Sequence, residues 1–524
     1  MALRAGTVVA VAGVGVVLHC MEGGLTMTAY LLAPALILYA LIMSALVVYI
    51  INMLYLAMVG LRRGERMRHY QPVVFDELPM VTVQLPIFNE RYVAERLLNA
   101  CGALDYPRAL LEIQVLDDST DDTTELVARA VSRLRAEGVN IVHIHRRNRE
   151  GFKAGALANG LASAKGGFIA IFDADFVPPP DFLRRILPHF DHERVAFVQA
   201  RWEHLNRDYS LLTLMQSLSL DAHFAIDQPV RSDKDFAFNF NGTAGVWRKS
   251  AILDAGGWKA DTLTEDMDLS YRAFLRGWTA RFAGDVQAPA ELPVSITAYR
   301  RQQYRWARGI LECAVKYIPI IWRSDFSFGR KIHATLHLTG YLLHLFTVAL
   351  MLIYPLLLIF ASQYPVLLEP VGFGLVTNLL ALAPAFYFSV GQHLLRRRWM
   401  RSFPFIALMT MLASGMALNT VRAVVHIAQK HVIPFERTPK YGITHRAQSW
   451  RNSRYLLGIE PLIVFEFLLG VFNLFTAWLA FQLGYYLMMT YAFIFALGLF
   501  YCSGLTLAQA FSARFTLRPE PASD

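Results

Sequence analysis

The chain has 524 residues, 55% of them hydrophobic and 17% charged, with a formal net charge of +9. Such a composition excludes an ordinary soluble enzyme, and because the apolar residues fall in blocks it predicts a polytopic membrane protein with one large soluble insert. The basic surplus lies beside the apolar blocks, which reads as positive-inside topology and attraction to anionic lipid rather than nucleic-acid binding. Cys20, Cys101, Cys313 and Cys502 are scattered and lack the spacing of a disulfide framework or a zinc site, so the soluble part is expected in a reducing compartment.

Residues 5–19 are apolar but short for a span, which leaves a signal-like region, a second span or an interfacial helix open. The run Gly13-Val14-Gly15 imitates the start of a nucleotide fingerprint but lacks the third glycine and the strand, turn, helix context. Residues 26–60 carry no charge and then meet Arg62, Arg63, Arg66 and Arg68, which predicts a spanning helix with a cytoplasmic C-terminal end. From about 79 to 310, short β-rich runs ("MVTVQLP", "EIQVLDD", "NIVHIH", "FIAIFDAD", "VAFVQARW") alternate with helical stretches such as 90–103 and 121–136. That alternation predicts a mostly parallel sheet covered by helices, with ligands at the C-terminal ends of the strands.

Apolar blocks return at about 334–361, 371–392, 403–421, 459–482 and 485–511. With the soluble domain on the Arg-rich side, the first of these exits and the second re-enters at Arg396, Arg397, Arg398 and Arg401. If 403–421 also crossed, residues 422–454 would lie outside, yet they carry Arg422, Lys430, Arg437, Lys440, Arg446, Arg451 and Arg454 against the single acid Glu436. That is the composition of a cytoplasmic loop, so 403–430 is expected to be an interfacial or re-entrant helix despite its hydropathy. The last two blocks then exit and return, and no regulatory domain is expected after them.

Four acidic clusters fall at strand ends or loop starts: Asp117-Asp118-Ser119, Asp173-Ala174-Asp175, Thr264-Glu265-Asp266 and Glu291, whose role is left open. Carboxylates one residue apart at the end of a buried strand suit Mg2+ or Mn2+ shared with phosphate oxygens, although an isolated Asp-x-Asp is more often a solvated turn. Asp121 and Asp122 read as cap and first-turn acids. Lys153 sits at a predicted helix start, where free N–H groups and a cation both face phosphate. Asp266 suits a general base. On a helix, Gln302, Arg305 and Trp306 share one face, giving an amide, a fixed cation and a flat ring for a sugar, while residues 303–322 also read as an amphipathic helix on the membrane. Within the apolar blocks, Glu466 and Asn473 in one, and His333, His337 and His344, expected to share a helical face, in another, are candidate channel-lining groups.

Together, Asp117-Asp118-Ser119, Asp173-x-Asp175, Thr264-Glu265-Asp266 and Gln302-x-x-Arg305-Trp306 resemble the signature of processive family 2 glycosyltransferases, the cellulose synthase superfamily. The stretch 198–308, with "FNGTAGVWR", "AGGW" and "TEDMDLSYRAFLRGW", most resembles cellulose-synthase-like proteins of the glucomannan 4-β-mannosyltransferase type. The resemblance implies an α/β GT-A domain, Rossmann-like with a mostly parallel sheet, joined to a helical transmembrane channel. It divides the chain into an N-terminal membrane region (1–70), a cytoplasmic GT-A domain (71–300), an interface helix (301–332) and a C-terminal channel region (333–524) holding the interface helix 403–430 and a gating loop, 435–442.

The same resemblance implies that Asp117, Lys153, Asp173, Gln302, Arg305 and Trp306 bind the nucleotide sugar, and that Asp175 with Asp173 holds Mg2+ or Mn2+. Asp266 is the implied base, flanked by Glu265 and Thr264, and Trp306, Asn241, Gly242 and Thr243 face the acceptor. Phe435, Thr438 and Lys440 match the gating loop, with Arg437 where the family has Val and Pro439 stiffening the turn. The expected partners are a nucleotide-sugar donor, UDP-glucose or GDP-mannose, a growing glycan and the lipid bilayer, with no nucleic acid and with any periplasmic or homo-oligomeric partner left open. The expected place is the inner (plasma) membrane, multi-pass, with the catalytic domain cytoplasmic. The rival readings are a non-processive lipid glycosyltransferase and a transporter with a degenerate domain, the second disfavoured by four intact acidic clusters.

Overall fold

The computed structural model describes residues 27–63, 73, 75–363, 375–431, 436–451 and 453–516. The expectations for residues 5–19 and for Phe435 therefore lie outside the described residues.

Seven strands form one sheet: β1 (Val81–Ile87), β2 (Leu111–Asp117), β3 (Ile141–His145), β4 (Phe168–Ile171), β5 (Val195–His204), β6 (Gly245–Arg248) and β7 (Thr279–Ala290), in the order β3-β2-β1-β4-β6-β5-β7. Helices cover both faces, so central strands are buried on both sides: β4 is a continuous apolar run, while β1 and β2 alternate apolar residues with the buried polar pairs Thr82–Glu112 and Gln84–Gln114, which hydrogen-bond across the two strands. Alternate residues enter different cores: Val81, Val83, Phe168 and Ala170 join one cluster, while Ile169, Ile171 and Leu116 join the other. Neighbouring strands run parallel except β6, which is antiparallel to both β4 and β5.

The five runs read from the sequence are β1 to β5, and the helical stretches appear as Ala94–Gly102 and Thr123–Ala136. The sequence pattern does not show β6 and β7. Strand β6 has only four residues, and β7 carries Gly284 and Asp285 at its centre, beside a register shift opposite Ala200 and Arg201 that breaks its two-residue period.

Five described helices are long and apolar enough to cross a membrane: Ala33–Arg63, Leu342–Ile359, Met409–Ala428, Leu462–Gln482 and Tyr486–Ser512. A further helix, Leu375–Leu394, lies between the second and third of these. The block around 403–421 is broken at Leu408 into helices Trp399–Ala407 and Met409–Ala428, and both flanks of the pair meet the catalytic domain. Before it, Arg397 pairs with Asp221 and, at 2.5 Å, with Glu203. After it, Arg308 donates to the His431 carbonyl at 2.6 Å, and Tyr304 shares a 2.6 Å hydrogen bond with His426.

The helix Ile296–Arg323 fastens the two layers. Its Arg300 side chain donates to Glu466 Oε2 at 3.0 Å, its carbonyl accepts from Asn419 Nδ2 at 2.8 Å, and the Ile296 N–H donates to Gln509 Oε1 at 2.9 Å. The membrane helices behind it pack through small residues: a Cβ on Gly415 would lie 2.4 Å from the Gly498 carbonyl oxygen.

Two channel expectations are corrected by these contacts. Glu466 is fully buried in its ion pair with Arg300. The three histidines do not share one helix, because Phe328–Leu338 ends before Leu342–Gln363 begins. His333 stacks on Phe236 with centroids 3.9 Å apart and His337 meets the Tyr271 hydroxyl at 2.8 Å, both at the catalytic domain, while His344 bonds Thr420 at 2.8 Å.

Breaking a buried ion pair from one side leaves an uncompensated charge, at a cost of about 3–5 kcal/mol. Glu466→Ala is therefore expected to lower the thermal unfolding temperature of the detergent-solubilised protein markedly. Glu466→Gln, which keeps an acceptor for Arg300, is expected to lower it less.

Candidate active site

The C-terminal ends of β1, β2 and β4 open into a cleft closed on its other sides by the start of helix Glu265–Leu275, the helix Ile296–Arg323 and the loop at 436–440. Lys153 stands in the first turn of helix Phe152–Ser163, whose entry is set by Gly151 at φ 68°. Its Nζ lies 2.7 Å from Asp173 Oδ1 and 3.5 Å from Glu265 Oε1, and it donates to the Gly242 carbonyl at 2.9 Å. Gly242 has φ 76°, and a Cβ there would fall 3.1 Å from Asp266 Oδ2 and 3.3 Å from Lys153 Nζ. A glycine is thus required for backbone, carboxylate and lysine to meet.

The second carboxylate of the Asp-x-Asp pair faces the loop: Lys440 Nζ lies 2.5 Å from Asp175 Oδ2 and also donates to the Glu291 carbonyl. Glu291, left without a role in the sequence, is almost fully buried. It receives the Tyr441 N–H at 2.9 Å and Arg96 at 3.1 Å, so it seats the loop at the cleft wall. Arg305 donates to the Glu436 carbonyl at 3.1 Å. Thr438 lines the cleft with a buried hydroxyl that has no hydrogen-bond partner among the described residues. Gln302 and Trp306 line the same cleft beside Asn241, Gly242 and Thr264. Helix Ile296–Arg323 approaches Thr264 so closely that a Cβ on Gly309 would lie 2.5 Å from its Cγ2.

Two expected site residues do not line the cleft. Thr243 is buried, and its hydroxyl accepts the Asp173 N–H at 2.8 Å, so it holds the Asp-x-Asp turn from behind. Asp117 is fully buried and turned toward β3, where its Oδ2 lies 3.0 Å from His143 Nε2. Its neighbour Asp118 lines the cleft instead, clasped by Arg146 at 2.7 and 2.5 Å. Asp121 accepts the Thr123 N–H at 3.0 Å, whereas Asp122, the residue at the helix N-cap position, makes no side-chain cap and pairs with Arg91 instead.

Glu90 was not singled out in the sequence. It follows β1 directly, so its position at a strand's carboxyl end was the available signal. Burial pushes its carboxyl up to about 8 against the opposing pull of Arg437 and Lys440, with Asp175 and Asp173 adding to the rise. Arg437 Nη1 approaches it at 3.5 Å. Burial likewise raises Asp266 to about 7, reinforced by Glu265 and opposed by Lys153 and by the Met267 N–H.

A mixed, mostly parallel sheet with an Asp-x-Asp turn at the end of β4 and the cations Lys153 and Arg305 lining the cleft beside it is the GT-A fold. Residues 79–309 match the family model described as glycosyltransferase like family 2, and this segment is a family 2 glycosyltransferase domain. The chain is 44% identical over 285 residues to glucomannan 4-beta-mannosyltransferase 1 of Oryza sativa subsp. japonica, covering 52% of this chain and 55% of that protein. It is also 44% identical over 284 residues to glucomannan 4-beta-mannosyltransferase 2 of Arabidopsis thaliana, covering 52% and 53%. It thus spans about half the length of the curated relatives it matches. Among solved structures it is similar to a mannosyltransferase from Pyrobaculum calidifontis in complex with GDP-Man and Mn2+, at 22% identity and a TM-score of 0.48, covering 75% of this chain and 99% of that one.

The raised Asp266 carboxyl has a stability consequence. The folded state holds its proton up to about pH 7, whereas an unfolded chain releases it near the ordinary 3.8, so this group's contribution to stability falls as pH rises between those values. Asp266→Asn is therefore expected to unfold at a higher temperature than the native protein at pH 8 and to lose that advantage at pH 4.

Proposed function

We propose that this protein is a membrane-embedded inverting glycosyltransferase that polymerises a β-linked polysaccharide from a nucleotide sugar and passes it across the inner membrane, its catalytic domain cytoplasmic. The observation that carries this reading is the convergence of Asp173, Asp175, Asp266, Arg305, Trp306 and Lys440 on one cleft, fastened by its own helix to the membrane layer. Similarity to glucomannan 4-beta-mannosyltransferases favours a mannosyl donor, GDP-mannose, over UDP-glucose.

In this reading Lys153, Arg305 and Asp118 flank the nucleotide and diphosphate, and the unpartnered Thr438 hydroxyl gains its hydrogen bond from the donor. Gln302 and Trp306 hold the terminal sugar of the acceptor, beside Asn241 and Gly242. Asp266 takes the proton from the acceptor hydroxyl, that oxygen attacks the anomeric carbon, and the sugar–phosphate bond breaks on the opposite face, which inverts the configuration. Arg305 and Lys153 receive the charge of the departing diphosphate.

The hard oxygen donors of Asp173 and Asp175, each paired with a lysine in the cleft, fit Mg2+ or Mn2+. Such an ion, when bound, supplies positive charge to the diphosphate. Lys440 on Asp175 brings a cationic side chain to the same carboxylate, so the loop 435–442 is read as a lid whose lysine gives way as donor and cation enter. The lid requires 403–430 to begin and end on the cytoplasmic side, which the contacts of Arg397 and His431 with the catalytic domain support.

Membranes supplied with labelled nucleotide sugars are expected to form high-mass material that a β-glycanase digests, and Asp266→Asn is expected to slow this by roughly 10²–10⁴-fold. Label recovered as one sugar per extractable lipid would mean a lipid glycosyltransferase instead. For the topology, single reporter cysteines at Arg401 and Lys430 are expected to react with an impermeant thiol reagent from the cytoplasmic side only. Labelling of the two from opposite sides would show that the intervening helices cross, and the lid assignment would fall.

A further inference from the structure

Strands β2 and β3 hold a second polar cluster, on the far side of Asp117 from the cleft. Strand β3 is the edge of the sheet, and its alternate residues His143 and His145 project to the same side. Asp117 is the register partner of His145 and lies diagonal to His143. Its Oδ2 is 3.0 Å from His143 Nε2 and 3.3 Å from His145 Nδ1, and the three ligand atoms all lie within 4.8 Å of one another. The other carboxylate oxygen, Oδ1, is taken by the Ser119 N–H at 2.8 Å, which fixes the direction in which Oδ2 points.

These distances bear on what can sit there. A tetrahedral ion with ligands at about 2.0–2.2 Å sets neighbouring ligand atoms roughly 3.3–3.5 Å apart. The two Asp117 contacts fall within a few tenths of an ångström of that spacing. The imidazole rings, tilted 60° with centroids 6.2 Å apart, are not stacked on each other and can both turn a nitrogen to one point. The Asp117 side chain is completely buried, while that of His145 is 36% exposed, so the cluster has a closed protein side and an open side where water can complete the coordination. Three protein ligands with one open position is a recurrent zinc arrangement.

We infer that Asp117, His143 and His145 form a binding site for one borderline divalent cation, zinc, separate from the carboxylate pair Asp173 and Asp175. Two imidazoles select zinc-like ions, whereas an all-carboxylate set favours Mg2+ or Mn2+, so the two sites differ in the metal they take. The ion ties the edge strand β3 to β2 at the ends that carry Arg146 and Asp118, and so steadies that wall of the cleft. The inference needs only the geometry of β2 and β3 and is independent of the sugar-transfer reading.

The test uses the full-length, tag-free protein in detergent, stripped with a chelator and titrated with zinc chloride against a zinc indicator. One tightly held zinc per chain is expected. His143→Ala and His145→Ala are each expected to weaken it by about tenfold or more, as loss of even an outer-sphere partner does. The double substitution of Asp173 and Asp175 to Asn is expected to leave it unchanged. X-ray absorption on the zinc-loaded native protein is expected to show two imidazoles in the coordination sphere, a reading that does not depend on any variant folding. Absence of stoichiometric zinc uptake, uptake insensitive to both histidine substitutions, or a coordination sphere without imidazole would overturn the site. None of these results depends on whether the protein transfers sugar.

Discussion

The contact on which the rest of the structure depends is the ion pair between Arg300 and Glu466, buried where neither charge has water to turn to. It belongs to the helix Ile296–Arg323, which carries Gln302, Arg305 and Trp306 two turns or less from Arg300 on the same rigid rod. A charge pair of this kind is a weak source of net stability but a strong source of registration, because one partner cannot shift without stranding the other. Asn419 on the Arg300 carbonyl and Gln509 on the Ile296 N–H add contacts from two further helices. The cleft-lining side chains of Gln302, Arg305 and Trp306 are therefore positioned by the membrane layer as much as by the catalytic domain.

The cleft itself is organised by charge balance. Four carboxylates, Asp173, Asp175, Glu265 and Asp266, crowd a space with Lys153 and Lys440, and Glu90 adds a fifth acid at its edge. Lysines hold Asp173 and Asp175, while the carboxyl of Asp266 is raised toward neutrality by burial and by Glu265. The same balance explains Arg437. Where the resembled family has an apolar side chain, this chain has a cation that meets Glu90 at 3.5 Å and stacks on Tyr455 at 4.0 Å. A loop carrying both Arg437 and Lys440 is drawn into an acidic cleft, and its seat on Glu291 gives it one defined depth.

Much of this was legible in the chain. The five strands were visible because each is a short run rich in Val, Ile or Phe set between helical stretches. Two of the acidic motifs, Asp117-Asp118 and Asp173-x-Asp175, were visible because each follows such a run. Strands β6 and β7 were not, being too short in one case and interrupted by Gly284 and Asp285 in the other. Asp117 and Thr243 were grouped with the cleft because they adjoin Asp118 and Gly242 in sequence. Neighbours along a strand or turn point to opposite sides, and the structure turns both residues away. The histidines read as channel groups were misassigned because helical periodicity was carried across the break at 339–341.

Sequence alone determined the two-part composition of this protein, the sheet type, the acidic clusters and the unusual charge of the segment 422–454. Each of these rests on local pattern: burial period, strand-end position, or the cost of placing Lys and Arg across a bilayer. Tertiary structure alone decided that Glu291 anchors a loop, that Glu466 answers Arg300, that Glu90 belongs to the cleft, and that Asp117 faces His143 and His145. Those are pairings between residues far apart in the chain, or between adjacent strands in a particular register, and no local pattern specifies which partner a buried charge will meet.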